Sequence, residues 1–233
     1  EFIPVAEDTG LILPLGEWVL QNVAEQHSAW RREGLPDIRI GVNLSGYQLQ
    51  QPSFASKVKS ILADAGMSPE SLEFEITETV VMQSPDLAAS VLKEFTGMGI
   101  QIAIDDFGTG YSSLAYIKRF SVSSLKIDKS FIKDLERNPT DAAIATAIIA
   151  MAASLNLQVV AEGVETVAQL DFLRDRLCDE VQGFLFSEAV SADEISRYLK
   201  AYPTTDDHSL RFQSWPVKHP TALGHEHAAR HGH

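Results

Sequence analysis

Hydrophobic and polar positions follow two alternating periods along the chain. Short runs with a period of two, typical of β-strands, are separated by longer runs with the period of an amphipathic or Ala-rich helix. The strand-like runs are 38–44, 72–77, 101–105, 124–128, 158–162 and 180–184. The helix-like runs are about 15–30, 53–65, 84–98, 141–155, 166–177 and 192–199. Strands separated by helices predict right-handed βαβ units and a parallel sheet.

The strand-like runs place most of their large apolar residues on one face. In 72–77, for example, Leu72, Phe74 and Ile76 oppose Glu73 and Glu75. An open parallel sheet is covered by helices on both faces, so both of its faces are apolar. A single apolar face instead favours an α/β fold of the TIM-like (β/α) barrel type, whose inner face becomes polar near the rim that carries active sites. A flavodoxin-like open sheet is the alternative, and a complete barrel requires two strands beyond the six visible here.

Composition and charge narrow the class of protein. Apolar residues make up 45% of the 233 residues, which excludes a disordered, collagen-like or coiled-coil chain. The single cysteine, Cys178, excludes a disulfide framework and a thiolate metal cluster, and we interpret it as a small core residue. A net charge of −13 disfavours extended nucleic acid as a partner. A start at Glu1, with no visible signal peptide, indicates a piece of a longer protein.

The periodic pattern stops near Tyr202. We therefore predict one domain over residues 1–201 and a loose or partly docked tail over 202–233. The tail contains six of the seven histidines. These would chelate a metal only weakly because nothing fixes their geometry, and a solvated terminus is the simpler interpretation.

Each strand-like run carries a polar residue near the end of its inner face. These residues are Asn43, Glu75, Asp105, Lys126, Glu162 and Gln182, with Asp106 beside Asp105. Because the carboxyl ends of barrel strands meet at one rim, we expect these side chains to converge. Converging carboxylates repel each other unless cations lie between them, and oxygen ligands alone favour Mg²⁺ or Mn²⁺ over Zn²⁺. The pair Asp105 and Asp106 would bridge two such ions around a transferring phosphoryl group.

Two features near this rim have more than one interpretation. Lys126 is either a buried partner of a rim carboxylate or a positive charge that holds a water or a phosphate oxygen. The segment 108–113 (GTGYSS), with Gly108 and Gly110, is similar to part of a dinucleotide fingerprint. Its third glycine is absent, and Asp105 and Asp106 would face the pyrophosphate. We interpret the segment as a flexible loop beside the metal site.

Seven segments of the chain together form a specific pattern. They are 1–10 (EFIPVAEDTG), 42–49 (VNLSGYQL), 72–79 (LEFEITET), 104–113 (IDDFGTGYSS), 125–131 (LKIDKSF), 160–166 (VAEGVET) and 181–186 (VQGFLF). In order and spacing the chain resembles the EAL-domain family, bacterial phosphodiesterases that hydrolyse the second messenger cyclic di-GMP. The resemblance covers about residues 1–200 and leaves the tail outside. It implies a metal-dependent barrel enzyme that converts cyclic di-GMP to linear pGpG with water activated by two ions of Mg²⁺ or Mn²⁺.

The resemblance also implies which residues hold the metal ions. Asn43, Glu75 and Asp105 look like ligands of one ion. Asp105 would bridge to a second ion, which Asp106 also holds.

Further roles follow from the same resemblance. Lys126 and Glu162 are similar to the groups that position and deprotonate the attacking water, with Glu162 as the general base. Glu78 is similar to the acid that anchors the 106–113 loop, Glu165 to a supporting acid and Gln182 to a residue near the substrate. The resemblance further implies a homodimer formed beside the mobile loop.

The namesake Glu-Ala-Leu motif of the family, on a strand upstream of 1–10, is not in this chain. Its Glu is a metal ligand in the family, and the strand before it is also missing. Three functions therefore remain as hypotheses: a phosphodiesterase, a receptor that binds cyclic di-GMP without hydrolysis, and a dimerisation module. We expect a cytoplasmic location and regulatory or sensory domains elsewhere in the parent chain, which the sequence leaves either free or membrane-tethered.

Overall fold

The computed structural model describes residues 2–110 and 114–201. The strands are β1 (Ile40–Asn43), β2 (Leu72–Thr77), β3 (Gln101–Phe107), β4 (Ser124–Ile127), β5 (Gln158–Glu162) and β6 (Glu180–Gln182). The helices are α1 (Ile3–Asp8), α2 (Ile12–Arg32), α3 (Gly46–Leu49), α4 (Phe54–Ala65), α5 (Glu78–Gln83), α6 (Pro85–Met98), α7 (Leu114–Ile117), α8 (Lys129–Lys133), α9 (Pro139–Ser154), α10 (Val167–Arg174) and α11 (Ala192–Ala201). The tail predicted over 202–233 lies outside the described residues, as do residues 111–113 of the Gly-rich loop.

The six strands form one parallel sheet in which each strand lies beside the next strand of the chain. Within the described residues, β1 and β6 are the two edges of this sheet. An open doubly wound sheet reverses its strand order at a switch point, whereas a barrel adds each strand beside the last. The prediction of an α/β, TIM-like fold is therefore confirmed, as an incomplete (β/α) barrel of six strands.

The outer face of the sheet packs against the long helices and forms the core. Phe74 on β2, Phe54 of α4 and Phe95 of α6 contact one another pairwise, with the Phe74 and Phe95 ring centroids 4.9 Å apart. All three rings are buried, as the apolar phase of the strands predicts. The helices α4 and α6 each end at a glycine in the left-handed conformation, Gly66 and Gly99, and the chain then enters the next strand segment.

The last strand, β6, ends where the chain packs closely against the loop that follows β5. The sequence pattern extends the last strand to 184, but β6 ends at Gln182. A Cβ atom at the next residue, Gly183, would lie 2.1 Å from the carbonyl oxygen of Val164. The Val164 N–H donates to the Gln182 carbonyl and the Val164 carbonyl accepts from Leu185, so the chain turns here against the loop that follows β5.

Short helices follow several strands and are absent from the sequence prediction because they are too short to show a period. Side-chain caps set the starts of two of them: Ser45 and Gln48 form a capping box at α3, and Asp128 accepts from the Ser130 N–H at α8. These helices turn the chain away from the rim directly after β1, β2 and β4. The residues at the strand ends therefore remain at the rim.

The last described helix, α11, lies against α2. The Trp30 indole N–H donates to the Ser196 hydroxyl over 2.8 Å, and the Lys200 ammonium lies 3.5 Å from the Glu33 carboxylate. The first long helix and the last are thus tied together on the outside of the sheet. None of the helices in the described ranges combines the length with the apolar character that a membrane span requires.

Candidate functional site

Lys126 lies at the centre of a cluster of carboxylates at the rim. Its ammonium nitrogen is 2.6 Å from Glu75 Oε2, 2.7 Å from Glu162 Oε1 and 3.6 Å from Asp105 Oδ1. The residue is 4% exposed, so these contacts are largely shielded from water. Burial alone would lower the pKa of Lys126, but the hydrogen bonds to Glu162 and Glu75 outweigh it and raise the pKa. Lys126 therefore carries a positive charge that neighbours acids from three strands, β2, β3 and β5.

A bulge in β3 brings two adjacent aspartates to the same site. Ile104 pairs with Leu125 and Phe107 with Ile127, so Asp105 and Asp106 both lie opposite the single residue between them on β4. Asp106 adopts the left-handed conformation with φ of 53°, which a short polar side chain tolerates. Carboxylate oxygens of Asp105, Asp106 and Glu162 consequently lie within 4.8 Å of one another.

Burial and mutual repulsion raise the pKa values of two acids in the site. Burial raises the pKa of Asp106, and the neighbouring charge of Asp105 raises it further. Burial likewise raises the pKa of Glu162, against the opposing effect of Lys126. Desolvated carboxylates that repel one another fit a divalent cation, and oxygen donors suit Mg²⁺ or Mn²⁺. Asp105, Asp106 and Glu162 thus form a group of carboxylates whose spacing suits a metal ion.

The other predicted metal ligands lie on the adjoining strands. Asn43, at the end of β1, is exposed and pairs in register with Glu75 of β2. Glu75 leans over Gly41, where an added Cβ would lie 2.3 Å from Glu75 Oε1. The missing side chain at Gly41 therefore leaves space for the Glu75 carboxylate beside Asn43.

Glu78 lies against the Gly-rich loop. It is the first residue of α5 and 1% exposed, and its Oε2 accepts from the Gly108 N–H over 2.9 Å. A Cβ at Gly110 would lie 2.6 Å from Glu78 Oε1, so the loop backbone approaches the carboxylate closely. Gly108 has φ of 99°, which favours glycine. This contact fits the predicted anchoring role of Glu78.

Gln182 and Glu165 lie at the border of the cluster. Gln182 is exposed and pairs in register with Glu162 across β5 and β6. The Glu165 side chain is exposed, and its backbone N–H donates to Gln169 Oε1 over 2.7 Å. Gln182 therefore lies beside Glu162 on the neighbouring strand, and the side chains of Gln182 and Glu165 both face solvent.

Asp128 is a site residue that the sequence reasoning did not single out. Its carboxylate contacts that of Asp106 and accepts from the Ser130 N–H. Burial opposes ionisation of Asp128, but its hydrogen bonds from Ser130 lower its pKa, so the Asp106 and Asp128 pair favours a proton on Asp106. The available signal was its phase, because Asp128 follows Lys126 by two residues and so lies on the same face.

These contacts at the rim of an incomplete barrel can be compared with known proteins. The sequence model of the family described as EAL domain matches residues 1–189. The chain belongs to the EAL domain family. The resemblance found in the seven sequence segments is thereby confirmed.

Individual relatives agree with this assignment. MucR of Pseudomonas aeruginosa, a bifunctional diguanylate cyclase/cyclic di-GMP phosphodiesterase, is 44% identical over 195 residues, which are 84% of this chain and 28% of MucR. A MucR phosphodiesterase structure in complex with c-di-GMP has a TM-score of 0.81 at 44% identity, covering 83% of this chain and 78% of that chain. A manganese and cyclic di-GMP complex of BlrP1 from Klebsiella pneumoniae has a TM-score of 0.65 at 32% identity, covering 72% and 43%. The chain spans less than a third of the length of MucR.

Proposed function

We propose that this EAL domain hydrolyses cyclic di-GMP to linear pGpG in a metal-dependent reaction. The observation that carries the proposal is the cluster of Asp105, Asp106 and Glu162, whose carboxylate oxygens lie within 4.8 Å of one another at the rim of the barrel. The likeness to MucR, whose name includes cyclic di-GMP phosphodiesterase, supports the choice of substrate.

The metal would be held by Asp105 and Asp106 of this cluster, with Asn43 and Glu75 contributing from the adjoining strands, while Glu162 lies beside it. Bound Mg²⁺ or Mn²⁺, as two ions, would supply Lewis-acid polarisation of the phosphodiester and stabilise negative charge in the transition state. The chain's own groups bind and orient. Asp105 and Asp106 supply charge from one strand, and their crowding is relieved by the added cation.

Glu162 and Lys126 are the groups placed to handle the attacking water. A raised pKa moves Glu162 towards the range in which a carboxylate accepts a proton efficiently near neutral pH. Lys126, 2.7 Å from Glu162 Oε1, fixes the carboxylate and presents a positive charge to a phosphate oxygen. We propose that Glu162 accepts the proton of the water while Lys126 stabilises the developing negative charge.

The product assay tests this proposal. The full-length natural protein is incubated with cyclic di-GMP and Mn²⁺, and pGpG is separated by chromatography. We expect pGpG to appear in the parent and to be lost in Asp105→Asn, which removes one charge at nearly constant volume. Binding of cyclic di-GMP with no pGpG would refute hydrolysis and make the domain a receptor; no binding at all would favour a dimerisation module.

A further inference from the structure

Gln169 uses both ends of its side-chain amide to join two segments of the chain. It is the third residue of α10 and 4% exposed. Its Oε1 accepts from the backbone N–H groups of Glu165 and Thr166 at 2.7 and 2.9 Å. Its Nε2 donates to the carbonyl oxygens of Ile132 and Lys133 at 3.1 and 3.2 Å. The amide is thus fully hydrogen-bonded, half to the start of its own helix and half to the end of α8.

The two joined segments follow the two sides of the acid cluster. The helix α8 comes directly after β4 and Asp128, whereas the loop before α10 comes directly after β5 and Glu162. They also touch at the other end of α8, where a Cβ at Gly163 would lie 2.7 Å from the Cβ of Lys129. The loop is therefore held against α8 at both ends of that helix.

A capping role alone does not require glutamine at this position. In a capping box, the third helical residue supplies only an acceptor to the backbone, and glutamate serves as well as glutamine. The two donors of Nε2 are what glutamine adds, and both are spent on α8. The hydrogen bonds to α8 therefore explain why this residue is glutamine, whereas the cap alone does not.

We propose that Gln169 is a positioning residue that sets the spacing between Glu162 and the Asp106–Asp128 pair. By holding the loop after β5 to the helix after β4, it fixes Glu162 relative to Asp128, and Asp128 contacts Asp106, whose carboxylate lies in one cluster with that of Glu162. This proposal rests on the proposed function in that it assigns a metal to the cluster. Residues that orient ligands without touching the metal commonly change affinity by about 10- to 100-fold when replaced.

Two variants of the full-length protein separate the bridge from the cap. Gln169→Glu keeps the acceptor and the capping box but replaces the donor that faces the α8 carbonyls. Thr166→Ala removes the other half of the capping box, together with an exposed bond to Glu136, and keeps both bonds from Gln169 to α8. Mn²⁺ affinity is measured by calorimetry, and backbone hydrogen exchange is followed by mass spectrometry over 129–135 and 163–169.

We expect Gln169→Glu to weaken Mn²⁺ binding by about tenfold or more and to raise exchange in both segments. Thr166→Ala should keep parental Mn²⁺ affinity within about twofold and raise exchange only at the start of α10. At saturating Mn²⁺, Gln169→Glu should lower kcat with little change in KM, since substrate contacts are retained.

Two results would overturn the positioning role: parental Mn²⁺ affinity in Gln169→Glu, or an equal loss in Thr166→Ala. Unchanged exchange over 129–135 in Gln169→Glu would show that the hydrogen bonds from Gln169 do not hold α8 in place. Neither readout requires turnover. A parent that binds Mn²⁺ but releases no pGpG would therefore refute the proposed function while the affinity comparison still decides the role of Gln169.

Discussion

At the scale of single residues, Asp106 combines an unfavourable backbone conformation with an unfavourable electrostatic environment. Its backbone is left-handed, and its carboxylate is crowded by Asp105 and Asp128. Left-handed backbone costs most residues about 1–2 kcal/mol, but Asp and Asn tolerate it because their short polar side chains bond locally. The bulge therefore brings the Asp106 carboxylate to the site, and aspartate is a residue type that tolerates the left-handed backbone required there.

Asp106→Asn should stabilise the metal-free protein and remove its metal binding. Asparagine keeps the left-handed backbone and removes a repelling charge. Because the pKa of Asp106 is raised in the folded state, the folded protein holds more protons, and stability falls as pH rises from the unfolded pKa through the folded one. The gain in Tm should thus be present at neutral pH and vanish in acid, as thermal unfolding without metal at both pH values would show in a chain that includes the upstream strands.

A matched control is Asp106→Ala, which removes the same charge but loses the tolerance for φ of 53°. It should unfold about 1 kcal/mol more easily than Asp106→Asn. Equal stability of the two variants would show that the backbone conformation is not strained. Parental Mn²⁺ affinity in Asp106→Asn would exclude this residue from the metal site.

Glu162→Gln should separate binding from turnover. If Glu162 accepts the proton of water, cyclic di-GMP binding persists and kcat falls by about 10²–10⁴. The raised pKa of Glu162 predicts that the parental rate declines as pH falls through that value, because protonation removes the base. The rate profile should lose this acidic limb in Glu162→Gln. Parallel loss of binding and turnover would instead make Glu162 chiefly a metal ligand.

At the scale of elements, the junction between α10 and β6 contains an unusual residue. The helix ends at Arg174, and the Cys178 N–H donates to the Leu173 carbonyl in a turn that closes the helix. Leu177 lies in that turn with φ of 61° and is 84% exposed. Glycine is the usual residue in such a turn because it has no Cβ to clash. The adjoining Cys178 is buried as predicted, and burial raises the pKa of its thiol to about 12.

Leu177→Gly should raise the free energy of unfolding by roughly 0.5–1 kcal/mol, since relief of left-handed strain exceeds the extra entropy of glycine in the unfolded chain. Urea unfolding measures the change. Leu177→Ala is the control, because it removes the exposed apolar side chain but keeps the Cβ. Identical midpoints for the Gly and Ala variants would contradict strain at this position.

At the scale of the whole molecule, the described sheet has two edges and a polar inner face. β1 and β6 each pair on one side only within the described residues. The outer helices nevertheless meet where Trp30 of α2 bonds Ser196 of α11. An edge with unpaired N–H and carbonyl groups favours pairing with another chain. The contact between α2 and α11 therefore joins the outer helices, while β1 and β6 remain unpaired with each other in the described residues.

We expect the 233-residue chain on its own to associate. Size-exclusion chromatography with light scattering should show dimers or larger species that increase with concentration, and unfolding should be poorly cooperative. Adding the upstream strands of an EAL domain should restore a defined state and strengthen Mn²⁺ binding together. The same addition with the Glu of Glu-Ala-Leu changed to Gln should restore folding only. A monomeric, cooperatively folded 233-residue chain with full activity would disprove this expectation.

Local pattern located the six strands, the long helices and the residues at the rim, although it made the first and last strands too long. The alternation in 72–77 and 158–162 depends only on neighbouring residues, and both strands occupy those positions. The same phase placed Glu75, Lys126 and Glu162 at the carboxyl ends of their strands. The short helices and the extension of β3 to Phe107 were not predicted, because each covers too few residues to define a period.

Only the tertiary structure decided which of these groups meet. Lys126 bonds Glu75 across 51 residues of sequence, and Gln169 bonds Ile132 across 37. The bulge at Asp105 and Asp106 exists only relative to β4, since a bulge is a mismatch between two strands. The sequence therefore determined which side chains reach the rim, through a period that neighbouring residues set. Their pairing, shared charge and spacing arise from packing between distant segments, which no local period contains.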